Sequence, residues 1–139
     1  KQLWSTSGRA IDATSFRQGD RVIIAISVVS SEQRITPLVI ADLLPAGFEI
    51  EAVLRPEDAG DTGPYRFLGD LASPNIAEAR DDRFVAALDL YDRRPATVAY
   101  VVRAVTVGTF AMPGVVIEDM YRPDTFARTS ARAISIAPR

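Results

Sequence analysis

The chain contains neither cysteine nor histidine among its 139 residues, and each absence excludes a class of chemistry. Without cysteine there is no disulfide framework, no thiolate nucleophile and no Cys-based zinc site. Without histidine, a Ser-His-Asp triad has no imidazole base. The 16 basic and 18 acidic residues give a formal charge of −2 and form no basic stripe of the kind that binds phosphates. We therefore expect no enzyme, no catalytic residue, no metal site, no cofactor and no nucleic-acid partner.

What the sequence does contain is enough apolar material for a core. Hydrophobic residues make up 47% of the chain, and 139 residues is the usual size of one domain. We expect a single domain over residues 1–139. Because residue 1 is a lysine, we also expect this domain to be a piece of a much larger protein.

Short apolar runs with the two-residue alternation of β-strands dominate the sequence. Residues 21–29 (RVIIAISVV) are the clearest example, and they follow a turn signal. Residues 97–107 are apolar on both faces except at Arg103, as expected of a central strand covered on two sides. Further strand candidates are residues 38–44, 48–50, 84–91, 115–117 and 132–136. This pattern of about seven strands predicts an all-β, antiparallel, Ig-like β-sandwich.

The interval from about residue 50 to residue 80 has loop signals and is long enough to cross between two sheets. Ser73 and Pro74 precede residues 75–80 in the manner of a helix cap and a first helical position, which predicts one or two helical turns. Pro56 begins another candidate single turn. The crossover is therefore expected to hold at most a short helix.

Asp42 and Arg103 are charged residues inside apolar strand candidates. Asp81 and Asp82 form an acidic pair just before the strand candidate at residues 84–91. An unpaired buried charge is costly, so Asp42 and Arg103 are expected either to pair across the sandwich or to point outward at a sheet edge. Asp81 and Asp82 do not converge on one site, because neighbours in a strand point to opposite faces. We expect this pair to lie in a turn that starts a strand.

Residues 118–124 (EDMYRPD) form a polar segment that nevertheless contains two large side chains, Met120 and Tyr121. Pro123 ends regular strand pairing and biases Arg122 away from the helical region. The two large residues therefore lie near a strand end, where alternation sends them to opposite sides. One of them could enter the core, or both could face outward. Both residue types are common at the centres of contact surfaces.

Four segments carry a resemblance to a known family. They are residues 38–51 (LVIADLLPAGFEIE), 79–90 (ARDDRFVAALDL), 100–123 (YVVRAVTVGTFAMPGVVIEDMYRP) and 131–136 (ARAISI). In this order and spacing they resemble the C-terminal macroglobulin domain of bacterial alpha-2-macroglobulins, the counterpart of the receptor-binding domain of the eukaryotic proteins. The motifs DDRFVA, RAVT-x-GTF and MYRP are the most specific. The resemblance implies a macroglobulin-like antiparallel β-sandwich, in agreement with the strand pattern.

The resemblance also implies a non-catalytic role in a protease-trapping inhibitor. In such proteins a protease cuts a bait region, the molecule changes shape, and an exposed internal thioester captures the protease. The thioester motif Cys-x-Glu-Gln would lie upstream in a separate domain, since this chain has no cysteine. Met120, Tyr121, Arg122 and Pro123 match the family's apolar lock, which packs on the thioester domain and shields the thioester until bait cleavage. This role requires that at least Tyr121 be substantially exposed here.

The implied partners are the thioester domain and the neighbouring macroglobulin domains of the same chain, with target proteases engaged by the full-length protein. The implied location is the periplasm, in a parent anchored at the inner membrane as a lipoprotein, without direct membrane contact by this domain. The implied biological role is bacterial defence. One alternative is an Ig-like adhesion or scaffolding module of a multidomain bacterial envelope protein, since fold does not fix function. Another is a carboxylate-dependent hydrolase, which would need a cleft with converging acids.

Overall fold

The computed structural model describes all 139 residues, and β-strands dominate it. Two short 3-10 turns, Pro56–Asp58 and Arg66–Leu68, are the only helical elements, and no helix is long and apolar enough to span a membrane. The strands are β1 (Gln2–Ser5), β2 (Ala10–Ile11), β3 (Ser15–Arg17), β4 (Arg21–Val28), β5 (Thr36–Leu43), β6 (Phe48–Val53), β7 (Ile76–Ala79), β8 (Arg83–Leu90), β9 (Ala96–Ala104), β10 (Gly108–Met112), β11 (Val115–Asp119), β12 (Phe126–Arg128) and β13 (Arg132–Ala137).

These strands form three sheets in a sandwich. Two sheets have five strands, in the orders β2-β1-β4-β9-β6 and β12-β11-β5-β8-β7, and a third has the order β10-β13-β3. The predicted all-β sandwich is confirmed, and the predicted strand segments correspond to β4, β5, β6, β8, β9, β11 and β13. Every pairing is antiparallel except that of β13 with β3, which is parallel. That pair joins distant parts of the chain, so local alternation could not predict it.

The main core consists of 22 buried residues. Most of them lie on the two larger sheets, and the third sheet adds Phe16, Met112, Ile134 and Ile136. The core follows from the alternation of the strands: along β5, Leu38 and Ile40 point inward, while Val39 between them is half-buried. At its centre the rings of Phe84 and Tyr100 stack with centroids 4.5 Å apart. The buried faces of the two sheets thus hold the sandwich together by removing apolar surface from water.

A second, smaller core covers the outer face of the first sheet. Here β4 and β9 contribute Ile23, Ala25, Ala99 and Val101. The connection after β6 folds back over them and contributes Leu54, Ala59 and Leu71. This cover explains why β4 and β9 are apolar on both faces, and it confirms the prediction of a strand buried on two sides.

The crossover prediction is confirmed in part. The connection leaves β6 in the first sheet and reaches β7 in the other, and Pro56–Asp58 is the expected single turn. The predicted helix at residues 75–80 is wrong, because Ile76–Ala79 is strand β7, paired with β8. The backbone N–H of Asn75 already donates to the carbonyl of Ala87 at 2.9 Å. The free edge of β8 thus supplies hydrogen bonds that override the local helix signal.

Of the two alternatives for Asp42 and Arg103, pairing across the sandwich is not found, and only Arg103 points outward, from the inner strand β9. Asp42 is fully buried, and its carboxylate accepts hydrogen bonds from Lys1 Nζ at 2.7 Å and from the Tyr100 hydroxyl. Burial, reinforced by the charge of Asp42, raises the pKa of Tyr100 well above 10.0. Arg103 points outward instead, because its neighbour in the strand, Val102, points into the core. Its Nε lies 3.5 Å from a carboxylate oxygen of Glu51.

The Asp81–Asp82 pair lies where the turn prediction places it, between β7 and β8. The backbone N–H of Arg80 donates to the carbonyl of Arg83 at 2.8 Å and closes the turn. The carboxylate of Asp82 accepts two hydrogen bonds of 3.0 Å from the Arg83 guanidinium, which lowers the pKa of Asp82. The turn prediction for this pair is therefore confirmed.

Candidate functional site: an exposed Met-Tyr turn

The candidate site is the turn after β11, residues 119–123, which we call the Met-Tyr turn. It joins β11 to the edge strand β12. The backbone N–H of Asp119 donates to the carbonyl of Thr125 at 3.0 Å, and the N–H of Thr125 donates to the carbonyl of Arg122 at 2.8 Å. On its other side, β11 pairs with β5, with Asp119 opposite Leu38. The turn is therefore attached to the sandwich from both sides.

The buried side chain of Asp119 fixes the backbone of this turn by hydrogen bonds. The residue is only 4% exposed, and its Oδ1 accepts hydrogen bonds from the backbone N–H groups of Tyr121 at 2.9 Å and Arg122 at 3.2 Å. The N–H of Met120 donates to the carbonyl of Pro37 at 2.9 Å. Because proline has no N–H, every backbone donor from Asp119 to Pro123 is satisfied within the chain.

A second contact to Asp119 comes from a distant loop. Arg34, in the loop between β4 and β5, donates from Nη2 to Asp119 Oδ2 at 3.0 Å and also pairs with Glu32. The backbone N–H of Tyr121, followed by the Arg34 guanidinium, holds the pKa of Asp119 below its usual range. Hydrogen bonds to Asp119 and Glu32 raise the pKa of Arg34 in turn. Asp119 is thus a charged carboxylate with a donor on each oxygen.

The side chains carried by the turn face solvent. Met120 is 42% exposed and Tyr121 is 82% exposed, and Arg122 and Pro123 are exposed as well. The expected exposure of Tyr121 is confirmed, and the alternative in which one large residue enters the core is wrong. Alternation along β11 points Asp119 inward and Met120 outward. The turn made by Asp119 then interrupts the alternation, so Tyr121 does not return to the core.

Other exposed hydrophobic residues lie at the same end of the sandwich as the Met-Tyr turn, and we call this end the apolar end. Nine large hydrophobic side chains of the whole chain are exposed. Six of them lie in or beside the loops at this end: Val29, Ile35, Tyr91, Met120, Tyr121 and Phe126. A groove beside the turn is lined by Leu38, Ile117 and Phe126, and it also contains Thr36, whose buried hydroxyl has no hydrogen-bond partner. Clustered exposed apolar residues are more typical of contact surfaces than singly scattered ones.

The side chains at this end are suited to contact with another surface. The turn presents an adaptable thioether and a rigid ring with a polar tip on a fixed backbone. No group of three or more His, Cys, Asp or Glu residues in the structure is placed to hold a metal ion.

Sequence reasoning identified the exposed residues of the site but missed the two that hold it. An aspartate that caps the N–H groups two and three residues ahead is a recognised turn signal, so Asp119 had a local signature. Arg34 had none, because it lies 85 residues away from Asp119 in the sequence.

Comparison with known proteins assigns the family. Residues 1–124 match the model of the bacterial alpha-2-macroglobulin MG10 domain, and this range includes the whole Met-Tyr turn. The chain is 32% identical to Escherichia coli alpha-2-macroglobulin over 143 aligned residues, which cover 98% of this chain but only 9% of that protein.

Two solved structures agree with the sequence match. Escherichia coli alpha-2-macroglobulin activated by porcine elastase matches with a TM-score of 0.81 and 34% identity, over 99% of this chain and 13% of that one. Salmonella alpha-2-macroglobulin reacted with methylamine matches with a TM-score of 0.84 and 32% identity, over 99% of this chain and 9% of that one. The chain belongs to the MG10 domain family of bacterial alpha-2-macroglobulins.

Proposed function

We propose that this chain is a single non-catalytic domain, C-terminal in its parent, of a periplasmic protease-trapping inhibitor. In this proposal Met120 and Tyr121 dock on the thioester domain of the same parent and shield its thioester until a protease cuts the bait region. The observation that carries the proposal is the exposure of both side chains on a turn whose backbone N–H groups are all hydrogen-bonded. A fixed turn that displays two large side chains is suited to fill a pocket on another surface.

The reactivity of related proteins supports a role for this docking in protecting a thioester. One related alpha-2-macroglobulin was activated by elastase, and another reacted with methylamine. Methylamine is a small nucleophile of the kind that opens a thioester: its nitrogen attacks the carbonyl carbon, an amide forms, and the thiolate leaves. A group with this reactivity persists in water only if nucleophiles are kept away from it. Two bulky side chains on a rigid turn would exclude water from such a site.

The energy of the contact fits a shield that has to open. Burying one large apolar side chain contributes roughly 1.5–3 kcal/mol, so two contribute about 6 kcal/mol at most. Met120 is already partly buried, which lowers its share. The fixed backbone reduces the conformational entropy lost on docking. A shield of this strength would stay closed in the intact inhibitor and yield to the shape change after bait cleavage. The parent would act as a defence protein, and this domain's direct partners would be the thioester domain and adjacent macroglobulin domains.

Replacing both side chains in the full-length parent tests the proposal. We expect Met120→Ala combined with Tyr121→Ala to speed thiol release by methylamine about tenfold or more, since tenfold corresponds to about 1.4 kcal/mol of lost docking. The measurement is the rate at which a chromogenic thiol reagent detects the freed cysteine. Val107→Ala is the matched control, because Val107 is also an exposed apolar residue but lies between β9 and β10, at the other end of the sandwich.

Two outcomes would refute the proposal. One is an unchanged methylamine rate in a double variant that remains folded. The other is an unmodified parent that releases no thiol with methylamine, because there would then be no thioester to shield. Fractionation of cells producing the parent tests the periplasmic location separately.

A further inference from the structure

We infer that Asp119 and Arg34 are positioning residues for the shield: together they hold Tyr121 in the orientation that docks. This inference rests on the proposed function, and it assigns a role to two residues that never touch the thioester domain in that proposal. The geometry behind it is one buried carboxylate that binds the turn with one oxygen and the β4–β5 loop with the other.

The carboxylate of Asp119 joins two segments that are far apart in sequence. Its side chain is 2% exposed, so each of its oxygens depends on donors within the chain. Oδ1 accepts hydrogen bonds from the backbone N–H groups of Tyr121 and Arg122, and Oδ2 accepts one from the Arg34 guanidinium. Removal of the Arg34 guanidinium would leave a buried negative charge short of a donor. The turn would then be free to rearrange to bring that charge into water.

Arg34 is oriented for this contact by its own surroundings. Its guanidinium pairs with Glu32 in the same loop while it reaches Asp119, so the loop presents a fixed donor and not a freely rotating one. The Arg34 side chain is 31% exposed and lies in the β4–β5 loop. The substitution Arg34→Met keeps an unbranched apolar stem and removes the guanidinium, so the effect is expected to be confined to the apolar end.

The function of this arrangement follows from the entropy of docking. Tyr121 is 82% exposed and makes its backbone contact to Asp119, so the position of its ring depends on how firmly the turn is held. A turn that samples several conformations pays an additional entropy cost each time the ring docks. The shield would then be open for a larger fraction of the time, and the thioester would react faster with small nucleophiles.

Variants of both residues in the full-length parent test the inference. We expect Asp119→Ala and Arg34→Met each to raise the methylamine rate about threefold or more, the size of effect that follows from losing a modest hydrogen bond. Asp119→Asn keeps an oxygen for the turn N–H groups and should lie between Asp119→Ala and the unmodified parent. Arg80→Met is the matched control, since Arg80 pairs with Glu78 on the exposed strand β7 and does not contact the turn.

A double substitution separates positioning from a general effect on stability. If Asp119 acts only by orienting Tyr121, then Asp119→Ala should add little to the rate of a Tyr121→Ala parent, which already lacks the ring. Independent rate increases that multiply would overturn the positioning role. Hydrogen exchange of the 119–125 segment gives a second measurement, and we expect it to be faster in Asp119→Ala and Arg34→Met. Exchange that stays at the unmodified rate in both variants would likewise overturn it.

The two proposals fail in different ways. If Tyr121→Ala speeds the reaction while folded Asp119→Ala and Arg34→Met parents react at the unmodified rate, the shield stands and the positioning role is wrong. If Tyr121→Ala itself has no effect, the shield fails and the positioning role fails with it.

Discussion

Removal of the Tyr100 hydroxyl tests how the buried carboxylate of Asp42 is stabilised. Asp42 lies in the main sandwich interior with a fully inaccessible side chain, and it has two donors, Lys1 Nζ and the Tyr100 hydroxyl. The Tyr100→Phe substitution keeps the aromatic ring and its stacking on Phe84, so it changes one donor and almost no packing. The effect on stability therefore isolates a single hydrogen bond to a buried charge.

The size of the effect follows from the partners that remain. A hydrogen bond to a charged group contributes about 1.5–3 kcal/mol. Removing the only partner of a buried charge would cost about 3–5 kcal/mol, but Asp42 keeps Lys1 at 2.7 Å. We therefore expect Tyr100→Phe to lower the free energy of unfolding by about 2 kcal/mol.

Urea unfolding of the 139-residue chain, followed by the fluorescence of Trp4, measures this change. Trp4 is the single tryptophan and packs on Phe67, with ring centroids 5.6 Å apart, so its emission reports the folded state. Tyr121→Phe is the matched control, because it makes the same chemical change on a side chain that is 82% exposed. The control should shift the free energy of unfolding by no more than about 0.5 kcal/mol. If Tyr100→Phe destabilises the chain no more than this control, the hydroxyl is not a significant donor to Asp42.

Two further predictions concern the second core and the Met-Tyr turn. Leu71→Ala should lower the free energy of unfolding by about 2–4 kcal/mol, because Leu71 is buried against the outer face of the first sheet. A urea-measured loss below about 1 kcal/mol would mean that the crossover covers that face only loosely. For Asp119, whose pKa is lowered in the folded chain, the stabilisation relative to Asp119→Asn should be constant from about pH 8 to pH 5. It should then disappear as the pH falls below about 4 and through the lowered pKa, and a difference that instead grows in acid would contradict the charged state of Asp119.

Strand positions were predictable because burial of one face imposes a period of two on the sequence. In β5, Leu38 and Ile40 alternate with half-buried residues. The same period puts Arg103 on the opposite face of β9 from Val102, although the sequence pattern left open whether Arg103 pairs with Asp42 or points outward. The two-sided burial of β9 was equally visible, since its outer face needs apolar residues to contact the crossover.

Features that depend on pairing between distant residues were not predictable. Residues 75–80 carry a local helix signal, but the neighbouring strand β8 decides their conformation. Asp42 finds its partners 41 and 58 residues away, and no local pattern points to either. At the candidate site, the motif located the exposed residues, while the Arg34 contact arises only from the way β4, β5 and β11 come together.

The parallel strand pair has a consequence for how the chain folds. Strand β13 lies between β10 and β3, and the hydroxyls of Ser135 and Ser15, 120 residues apart in sequence, are hydrogen-bonded. Closing so long a loop carries a large entropy cost, and contacts between distant residues slow folding. During synthesis, β3 and β10 would remain unpaired until β13 has left the ribosome, because β13 is their pairing partner. Unpaired strand edges promote aggregation. The synthesis of β13 therefore sets the time at which the edges of β3 and β10 become paired and protected from aggregation.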